Sequence, residues 1–209
     1  MNSDTVWENY YRETPLEKIP WQKTQANYFT ESVDNSKIEP SFALDLGCGT
    51  GMKSIYLAQK GFEVTAIDIS KTAISFAKDN ARKAKVNVNF IVADATDLSF
   101  LKKQKFDFVL DWANLHGISK DKRRKYIEAI AMHTKKGGKL LLRCFGREQN
   151  EKESVLRKMG RIYLFSEEEI KKLFGKHFKI LELNRSKPFI RKEKKPPAKW
   201  LNEYLMEKL

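Results

Sequence analysis

Five short apolar, β-rich runs alternate with helical patterns along the middle of the chain. Strands are predicted at residues 42–46, 62–67, 88–93, 106–111 and 139–145, and a sixth apolar run follows at 178–183. Helical spacing lies between them at 51–59, 71–84, 120–133 and 166–174. Strands that alternate with helices need right-handed crossovers, so the pattern predicts an α/β fold with a mostly parallel sheet and helices on both faces.

Polar residues and glycines mark the expected ends of these helices. Ser70 and Ser166 have the position of N-caps, and Glu169 follows Ser166 at the spacing of a capping box. Gly61 and the pair Gly137-Gly138 stand where helices are expected to stop. The final stretch, residues 200–209, fits either a last strand or an amphipathic helix, because periodicity alone does not decide between them.

The first 40 residues differ from the rest of the chain and are rich in aromatic side chains. We predict a short helix, an irregular segment and a second helix that ends near Pro40. This divides the chain into an N-terminal helical and aromatic lid segment at 1–40 and a main domain at 41–209. Tyr10, Tyr11 and Trp21 are the candidate lid residues over a substrate pocket, and a packed N-terminal arm is the alternative.

Length and composition limit the classes of protein to consider. At 209 residues with 41% apolar side chains, the chain is long enough for one α/β domain with a substantial core. No apolar run reaches the length of about 18 residues that suggests a membrane span, and the N-terminus lacks the pattern of a secretory signal. With only two cysteines, Cys48 and Cys144, a reduced cytoplasmic protein is expected.

The net charge of +13 raises the question of a nucleic-acid or membrane partner. The basic clusters fall mostly in predicted loops and on helix faces, and glutamates interleave with several of them. A solvated lysine-rich surface is therefore favoured over a polyanion site. A basic segment at residues 187–199 keeps a nucleic-acid partner open as the less favoured alternative.

The segment Ala43-Leu-Asp-Leu-Gly-Cys-Gly-Thr-Gly51 carries the clearest chemical signal. A short apolar strand runs directly into three glycines at alternate positions, and a helical pattern follows. Glycine lets the backbone turn tightly and lets a ligand lie against main-chain atoms. The segment predicts a nucleotide-type cofactor pocket at the carboxyl end of a parallel strand.

Three aspartates accompany this glycine loop. Asp68 ends the second strand, where a carboxylate accepts hydrogen bonds from ribose hydroxyls, and Asp94 ends the third strand, where it meets the base of the same nucleoside. Asp45 lies inside the first motif and either orders the loop or meets a ligand ammonium. Capping alone explains a single aspartate at a strand end better than it explains three.

The glycine spacing argues against a dinucleotide. The dinucleotide fingerprint needs a third glycine, but that position is Met52 when counted from Gly47 and Gly49, and Ser54 when counted from Gly49 and Gly51. The Lys-Ser/Thr pair of a phosphate loop is also missing from the start of the helix. A cradle for a diphosphate is therefore a poor fit.

The motifs Asp45-Leu-Gly-Cys-Gly-Thr-Gly51, Asp68 and Ala93-Asp-Ala95 resemble those of class I S-adenosylmethionine-dependent methyltransferases. The resemblance extends over roughly residues 42–183. It implies a Rossmann-like seven-stranded sheet with a C-terminal antiparallel hairpin, in which residues 200–209 form the inserted last strand. It also implies S-adenosyl-L-methionine as the cofactor and S-adenosyl-L-homocysteine as its product.

The resemblance further implies roles for individual residues. Asp68 is expected to hold the ribose and Ile69 to cover the adenine, while Asp94 and the Ala95 amide contact the adenine edge. The remaining expected cofactor residues lie in the first motif and at the end of the fourth strand: Asp45, Gly47, Cys48, Gly49, Gly51, Asp111 and Trp112.

A narrower similarity points to small-molecule methyltransferases that act on thiols, thiopurines, tellurite and related nucleophiles. It rests on Trp7-Glu-Asn-Tyr10 with Ile19-Pro-Trp21, and on parts of residues 107–116, 137–145, 161–166 and 197–200. In this chain, residues 16–20 interrupt the Thr-Pro-Trp sequence that is usual in that group. The implied acceptor is a small-molecule nucleophile, with a thiol among the candidates.

The residues expected on the acceptor side are His116, Asp111 and Arg143. His116 follows the fourth strand and is a candidate general base, and a packed or helix-capping histidine is an equally weighted alternative. Asp111, expected near the reactive methyl group, is the second catalytic candidate. Arg143, like Arg147, either steers an anionic substrate or pairs with surface glutamates, and pairing is the favoured interpretation.

Three functions remain open from the sequence. The first is methyl transfer to a small molecule, the second is methyl transfer to RNA or protein, and the third is a non-catalytic module that binds the cofactor. The stretch Asp111-Trp-Ala-Asn114 differs from the motif expected for amino-group methylation of bases, which disfavours the second function. The three histidines and two cysteines lack metal-site spacing, so no metal is expected, and a monomer or small homo-oligomer is assumed.

Overall fold

A computed structural model of the chain describes residues 3–22, 27–157, 160–187 and 198–209. Six α-helices lie in these ranges: α1 (Ser3–Glu13), α2 (Asn27–Asp34), α3 (Met52–Gln59), α4 (Lys71–Ala84), α5 (Arg123–His133) and α6 (Glu167–Phe174). The strands are β1 (Phe42–Leu46), β2 (Glu63–Asp68), β3 (Asn89–Val92), β4 (Phe106–Trp112), β5 (Thr134–Gly146), β6 (Ser154–Arg157), β7 (Gly160–Tyr163), β8 (Phe178–Ser186) and β9 (Trp200–Lys208).

Seven of these strands form one sheet in the order β3-β2-β1-β4-β5-β9-β8. The first five are parallel to one another, and β9 lies between β5 and β8 and is antiparallel to both. The predicted α/β fold with its C-terminal antiparallel hairpin is confirmed. The last segment, which periodicity left open, is a strand.

The sheet has an apolar core on each face. On one face α5 and α6 cover a cluster that includes Tyr126, Phe165 and Phe174. On the other face α3 and α4 cover a second cluster, to which Phe29 and Val33 of α2 also belong. Part of the N-terminal segment is therefore built into the core of the main domain, because its apolar side chains complete that face of the sheet.

The predicted caps of two helices are present. The Ser70 side chain accepts a hydrogen bond from the amide of Ala73 at 3.0 Å at the start of α4. At α6, Ser166 and Glu169 form the expected capping box, with contacts of 3.3 and 2.8 Å. These bonds satisfy amides that the first helical turn would otherwise leave unpaired.

The glycine pair at 137–138 was wrongly predicted as a helix stop. Helix α5 ends at His133, and β5 begins at Thr134, so both glycines lie inside the strand. A Cβ on Gly138 would lie 2.9 Å from the carbonyl oxygen of Asp107, beside a register shift between β4 and β5. The glycine permits this close approach of two backbones at a bulge.

Two further features differ from the sequence-based expectation. The helix expected from residue 120 begins at Arg123, because the residues before it form a turn. A two-stranded hairpin, β6–β7, follows β5 and was not predicted. The strands of this hairpin are four residues each, and only Ile162 among them is buried, so they lack a strong apolar pattern.

Arg147 fixes the chain where it leaves β5. Its side chain is buried, and it donates hydrogen bonds to the carbonyls of Leu164, Glu148, Gln149 and Glu151 at 2.7–3.3 Å. It also pairs with Glu169 at 2.9 Å. These contacts make Arg147 a structural residue of the β5–β6 connection.

We expect Arg147→Met to lower the free energy of unfolding by about 3 kcal/mol, because removing one partner of a buried, multiply bonded charge leaves the other groups unsatisfied. Urea unfolding monitored by circular dichroism measures the change. Arg161→Met is the matched control, since Arg161 is exposed and donates a hydrogen bond to the Ser154 hydroxyl at 3.0 Å, so its effect should stay within about 0.5 kcal/mol. Equal effects of the two substitutions would contradict the structural role of Arg147.

Candidate functional site

The glycine loop forms a tight turn at the carboxyl end of β1. Its backbone is fixed by a hydrogen bond from the Cys48 amide to the carbonyl of Ile67 at 2.9 Å, and by one from the Gly51 amide to the carbonyl of Cys48 at 3.0 Å. Gly49 has a φ of 55°, and a Cβ there would lie 2.8 Å from the Tyr11 hydroxyl. A glycine is therefore required for both the backbone conformation and the close cover.

Asp68 connects the end of β2 to this loop. One carboxylate oxygen accepts a hydrogen bond from the Gly49 amide at 2.8 Å, and the other accepts one from the Ser70 amide at 2.9 Å. Burial raises the pKa of Asp68 to about 6, although the backbone hydrogen bonds oppose the shift. Since a carboxylate has about four acceptor positions, Asp68 keeps capacity for further hydrogen bonds.

Asp45 and Asp111 are buried at the ends of the adjacent strands β1 and β4. Asp45 accepts a hydrogen bond from the Ser54 hydroxyl at 2.6 Å, and burial raises its pKa to about 7. Asp111 accepts one from the Tyr126 hydroxyl at 2.8 Å and one from the Asn114 amide at 2.7 Å, and burial raises its pKa to about 6. Both carboxylates thus hold segments of the site in place.

The other residues expected around the adenine lie after β2 and β3. Ile69 is half-buried directly after Asp68. Asp94 accepts a hydrogen bond from the Thr96 amide at 2.8 Å, and its second oxygen lies 3.7 Å from the Lys122 ammonium. Ala95 is buried beside it. Because β2 and β3 are neighbours, Asp68 and Asp94 stand at the same edge of the sheet.

An aromatic cover from the N-terminal segment lies against the glycine loop. It consists of four side chains whose ring centroids lie 5.5–6.2 Å apart: Trp7, Tyr10, Tyr11 and Trp21. Tyr11 is buried, and the Trp21 indole nitrogen would lie 3.2 Å from a Cβ on Gly49. The structure therefore brings all three predicted lid residues to the loop.

Glu8 anchors this cover to the start of α4. Its carboxylate accepts hydrogen bonds from the Ser70 hydroxyl at 2.7 Å, the Thr72 hydroxyl at 2.6 Å and the Thr72 amide at 3.2 Å. Burial raises the pKa of Glu8, but these hydrogen bonds outweigh it and leave the pKa below its usual value. Sequence analysis missed this residue, since its partners are more than 60 positions away.

His116 lies in a short 3-10 turn, Leu115–Gly117, after β4. The imidazole is 6% exposed and packs against the Phe145 ring with centroids 4.6 Å apart. Its Nδ1 atom is buried and has no hydrogen-bond partner among the described residues. Burial, together with the charge of Arg143, lowers the pKa of His116 to about 3, so the ring is neutral at physiological pH.

Trp112 and Arg143 lie side by side at the ends of β4 and β5, where their positions pair in the sheet. The Arg143 guanidinium carbon is 4.8 Å from the Trp112 ring centroid, within the range of a cation–π contact. Its Nε atom is 3.4 Å from the carboxylate of Glu203 on β9. The partner of Arg143 is thus a buried glutamate and not one of the surface glutamates that were expected.

Two other expectations concern cysteines and metals. Cys144 is a buried strand residue, as predicted, and burial raises its thiol pKa. Cys48 is half-buried in the glycine loop, and burial also raises its thiol pKa. Within the described ranges, no group of three or more His, Cys, Asp or Glu side chains forms a metal site, and no helix is long and apolar enough to cross a membrane.

Comparison with known proteins decides the family. Residues 43–138 match the methyltransferase domain family. The uncharacterized methyltransferase C750.03c of Schizosaccharomyces pombe is 35% identical over 102 residues, which are 49% of this chain and 70% of that protein. The chain belongs to the class I S-adenosylmethionine-dependent methyltransferases.

One further relative and one solved structure resemble this chain. The probable S-adenosyl-L-methionine-dependent methyltransferase TehB of Haemophilus influenzae is 26% identical over 155 residues, 74% of this chain and 52% of TehB. This methyltransferase chain thus spans about half the length of that relative. A protein solved in work on the conversion of a disulfide bond into a thioacetal group during echinomycin biosynthesis has the same fold, with a TM-score of 0.78 and 21% identity over 98% of this chain and 92% of that one.

The Glu8 anchor of this methyltransferase generates a prediction about its N-terminal cover. We expect Glu8→Ala to accelerate amide hydrogen exchange in α1 and to leave exchange in the sheet unchanged, because Ser70 and Thr72 lose their acceptor. Glu13→Ala on the same helix is the control, since Glu13 is exposed, and it should not change the exchange of α1. Unaltered exchange in Glu8→Ala would show that aromatic packing alone holds the cover.

The lowered pKa of His116 makes the stability of the methyltransferase depend on pH. Between pH about 3 and 6.5 the unfolded chain binds a proton at His116 that the folded chain does not, so the contribution of His116 to stability falls as the pH is lowered, whereas the raised pKa values of Asp45, Asp68 and Asp111 act in the opposite direction. We expect His116→Asn to remove up to about 1.4 kcal/mol per pH unit of this decline. Urea unfolding at several pH values measures the slope, and His177→Asn is the comparison, because partial burial lowers the pKa of the half-buried His177 less strongly and its effect on the slope should be smaller. Parallel curves for the wild type and His116→Asn would contradict the assignment.

Proposed function

We propose that this methyltransferase transfers the methyl group of S-adenosyl-L-methionine to a small-molecule nucleophile, with a thiol as the first candidate. The observation that carries the proposal is the aromatic cover over the glycine loop, together with the buried His116 and the half-buried rings of Trp112 and Phe145. A site closed in this way suits a small acceptor better than a polymer. The neighbour solved in work on disulfide-to-thioacetal conversion gives further support for a sulfur nucleophile.

The described residues fit the cofactor. At Gly49 a Cβ would clash with the Tyr11 hydroxyl, so the main chain of the loop carries no side chain there, and the buried Thr50 hydroxyl has no hydrogen-bond partner among the described residues. We propose that Asp68 holds the ribose with its remaining acceptor capacity, and that Asp94 and the Ala95 amide contact the adenine. Gly47, Gly49 and Gly51 then border the methionine portion.

The chemistry proposed for the site is an in-line displacement. When bound, S-adenosyl-L-methionine supplies an electrophilic methyl group on a sulfonium. The aromatic cover excludes water, and Trp112 and Phe145 orient the acceptor, so the site contributes mainly proximity and desolvation. A thiolate needs little further activation, because it is already a strong nucleophile.

In this proposal His116 and Asp111 contribute more to the positioning of the acceptor and of the loop beside it than to proton transfer. A histidine with a pKa near 3 is a weak base at neutral pH, since an effective general base has a pKa near the working pH. When the neutral ring carries its proton on Nδ1, this nitrogen, which has no hydrogen-bond partner among the described residues, can donate a hydrogen bond to a thiolate that has formed in solvent. Asp111 is fully buried and accepts hydrogen bonds from the Tyr126 hydroxyl and from the amides of Asn114 and Leu115. We therefore propose that it fixes the loop that carries His116.

The proposal is tested by a screen of methyl transfer with radiolabelled S-adenosyl-L-methionine across thiols, phenols, amines and bulk RNA. We expect methylation of thiols and none of RNA. Labelling of RNA alone would contradict the proposal and support the alternative that the basic surface binds a polyanion; much of the basic segment behind that alternative lies outside the described residues, at 188–197. Tight cofactor binding without turnover of any acceptor would identify a non-catalytic module.

A matched pair of aspartate variants serves as the control for this screen. Asp68→Asn should reduce turnover at low cofactor concentration by at least about tenfold, because it removes one charged acceptor from the ribose. Asp97→Asn should leave turnover unchanged, because the Asp97 side chain is exposed and lies outside the site. Its carboxylate accepts a hydrogen bond from the Ser99 amide at 3.2 Å. Equal turnover of the two variants would contradict the ribose role.

A further inference from the structure

A group of charged side chains converges on Trp112 at the carboxyl edge of the sheet. The Arg143 guanidinium carbon is 4.8 Å from the Trp112 ring centroid, and the Lys53 ammonium is 5.9 Å from the same centroid. Lys53 belongs to α3, directly after the glycine loop, and its ammonium also lies 5.4 Å from the Phe29 ring. Two cations from distant parts of the chain therefore lie close to the same aromatic ring, that of Trp112.

These two cations affect one another. Burial, and to a smaller extent the charge of Arg143, lower the pKa of Lys53 to about 8, whereas Asp45 opposes the shift. Lys53 therefore remains mostly protonated at neutral pH. Bringing like charges together in a partly desolvated site is unfavourable unless an anion is available to both.

The protein supplies only part of that negative charge. Glu203 is 2% exposed and lies 3.4 Å from the Nε atom of Arg143, but this contact lacks hydrogen-bond geometry, and Nε has no hydrogen-bond partner among the described residues. The Glu203 carboxylate is instead bonded by Asn184 at 2.5 Å and by Ser186 at 2.9 Å. Asp45, whose charge acts on Lys53, is bonded by Ser54 and has a pKa of about 7, so it is only partly ionised.

We propose that Arg143 and Lys53 form a subsite for an anionic group, a carboxylate or a similar oxyanion, on the methyl acceptor. The subsite lies next to His116 and Phe145, on the edge where ligands bind in α/β sheets. Arg143 provides planar donors for a carboxylate, and Lys53 provides a second positive charge. This inference rests on the proposed function and specifies its substrate class as a nucleophile that carries a negative charge.

A carboxylate can reach this subsite from two sources, the acceptor or the methionine portion of the cofactor. Arg143 is on β5, two strands from the β1 edge that carries the glycine loop, which is roughly 10 Å at the usual spacing of strands. That separation favours the acceptor for Arg143. Lys53 is nearer to the loop, so the experiment measures cofactor binding for each variant separately.

The test uses calorimetric titration of the full chain in the presence of saturating S-adenosyl-L-homocysteine. The probes are 3-mercaptobenzoate and 3-mercaptobenzamide, which share a ring and a thiol and differ in the charged group. We expect the wild type to bind the benzoate at least about tenfold more tightly than the amide, in line with a charge-assisted hydrogen bond. Equal affinities in the wild type would overturn the proposal.

Variants identify the side chains that cause the preference for the benzoate. Arg143→Gln and Lys53→Gln should each reduce the preference for the benzoate by at least about fivefold, and Lys53→Gln remains informative if Arg143→Gln does not fold. Lys60→Gln is the matched control, because the Lys60 ammonium also lies against an aromatic ring, 5.4 Å from the centroid of Tyr56. Lys60 lies outside the subsite and forms an ion pair with Asp34 at 2.7 Å. An equal loss in Lys60→Gln would show a general effect of surface charge and overturn the subsite.

The dissociation constant of S-adenosyl-L-homocysteine separates the two sources of the anion. We expect it to stay within twofold of the wild type in both variants. A tenfold weakening with no change in the benzoate preference would assign the anion to the cofactor and overturn the proposal. Methylation of the two probes is recorded in parallel: if neither probe is methylated, thiol transfer fails as a function, whereas the binding preference still decides the subsite.

Discussion

Three buried carboxylates lie at the ends of adjacent strands and stabilise the carboxyl edge of the sheet, where the candidate site lies. Asp68, Asp45 and Asp111 belong to β2, β1 and β4, which are neighbours in the sheet, and burial raises the pKa of each above its usual value. A buried carboxylate is costly unless it is hydrogen-bonded. Asp68 and Asp111 are bonded by amides of the loops that follow their own or a neighbouring strand, and Asp45 is bonded by Ser54 in α3, so the burial of these carboxylates and the conformation of those segments depend on each other.

The other parts of the site depend on these loops. Asp68 fixes the amide of Ser70, and the Ser70 hydroxyl both caps α4 and donates to Glu8, which anchors the aromatic cover. Asp111 fixes the turn that places His116 against Phe145. The aromatic cover and the pair of His116 and Phe145 are thus connected to the sheet through polar groups, although most of their surface is aromatic.

Local patterns were sufficient to predict the parallel strands and the glycine loop, whereas the inserted last strand was implied only by the family resemblance. The apolar runs, the caps at Ser70 and Ser166 and the position of Asp68 each depend on residues that are close in sequence. The β6–β7 hairpin and the roles of Glu8 and Glu203 were not predicted. Glu203 meets Arg143 only because β9 inserts beside β5, and a long-range pairing of this kind leaves no periodic signal in either segment.

The neutral state of His116 and the crowding of Lys53 have a common cause. Both are buried near Arg143, whose charge lowers the pKa of each. An anion bound at Arg143 would offset that charge and favour protonation of both groups. Binding of an anionic acceptor would then raise the pKa of His116, so recognition of the acceptor and the charge state of the groups beside it would be coupled through one arginine.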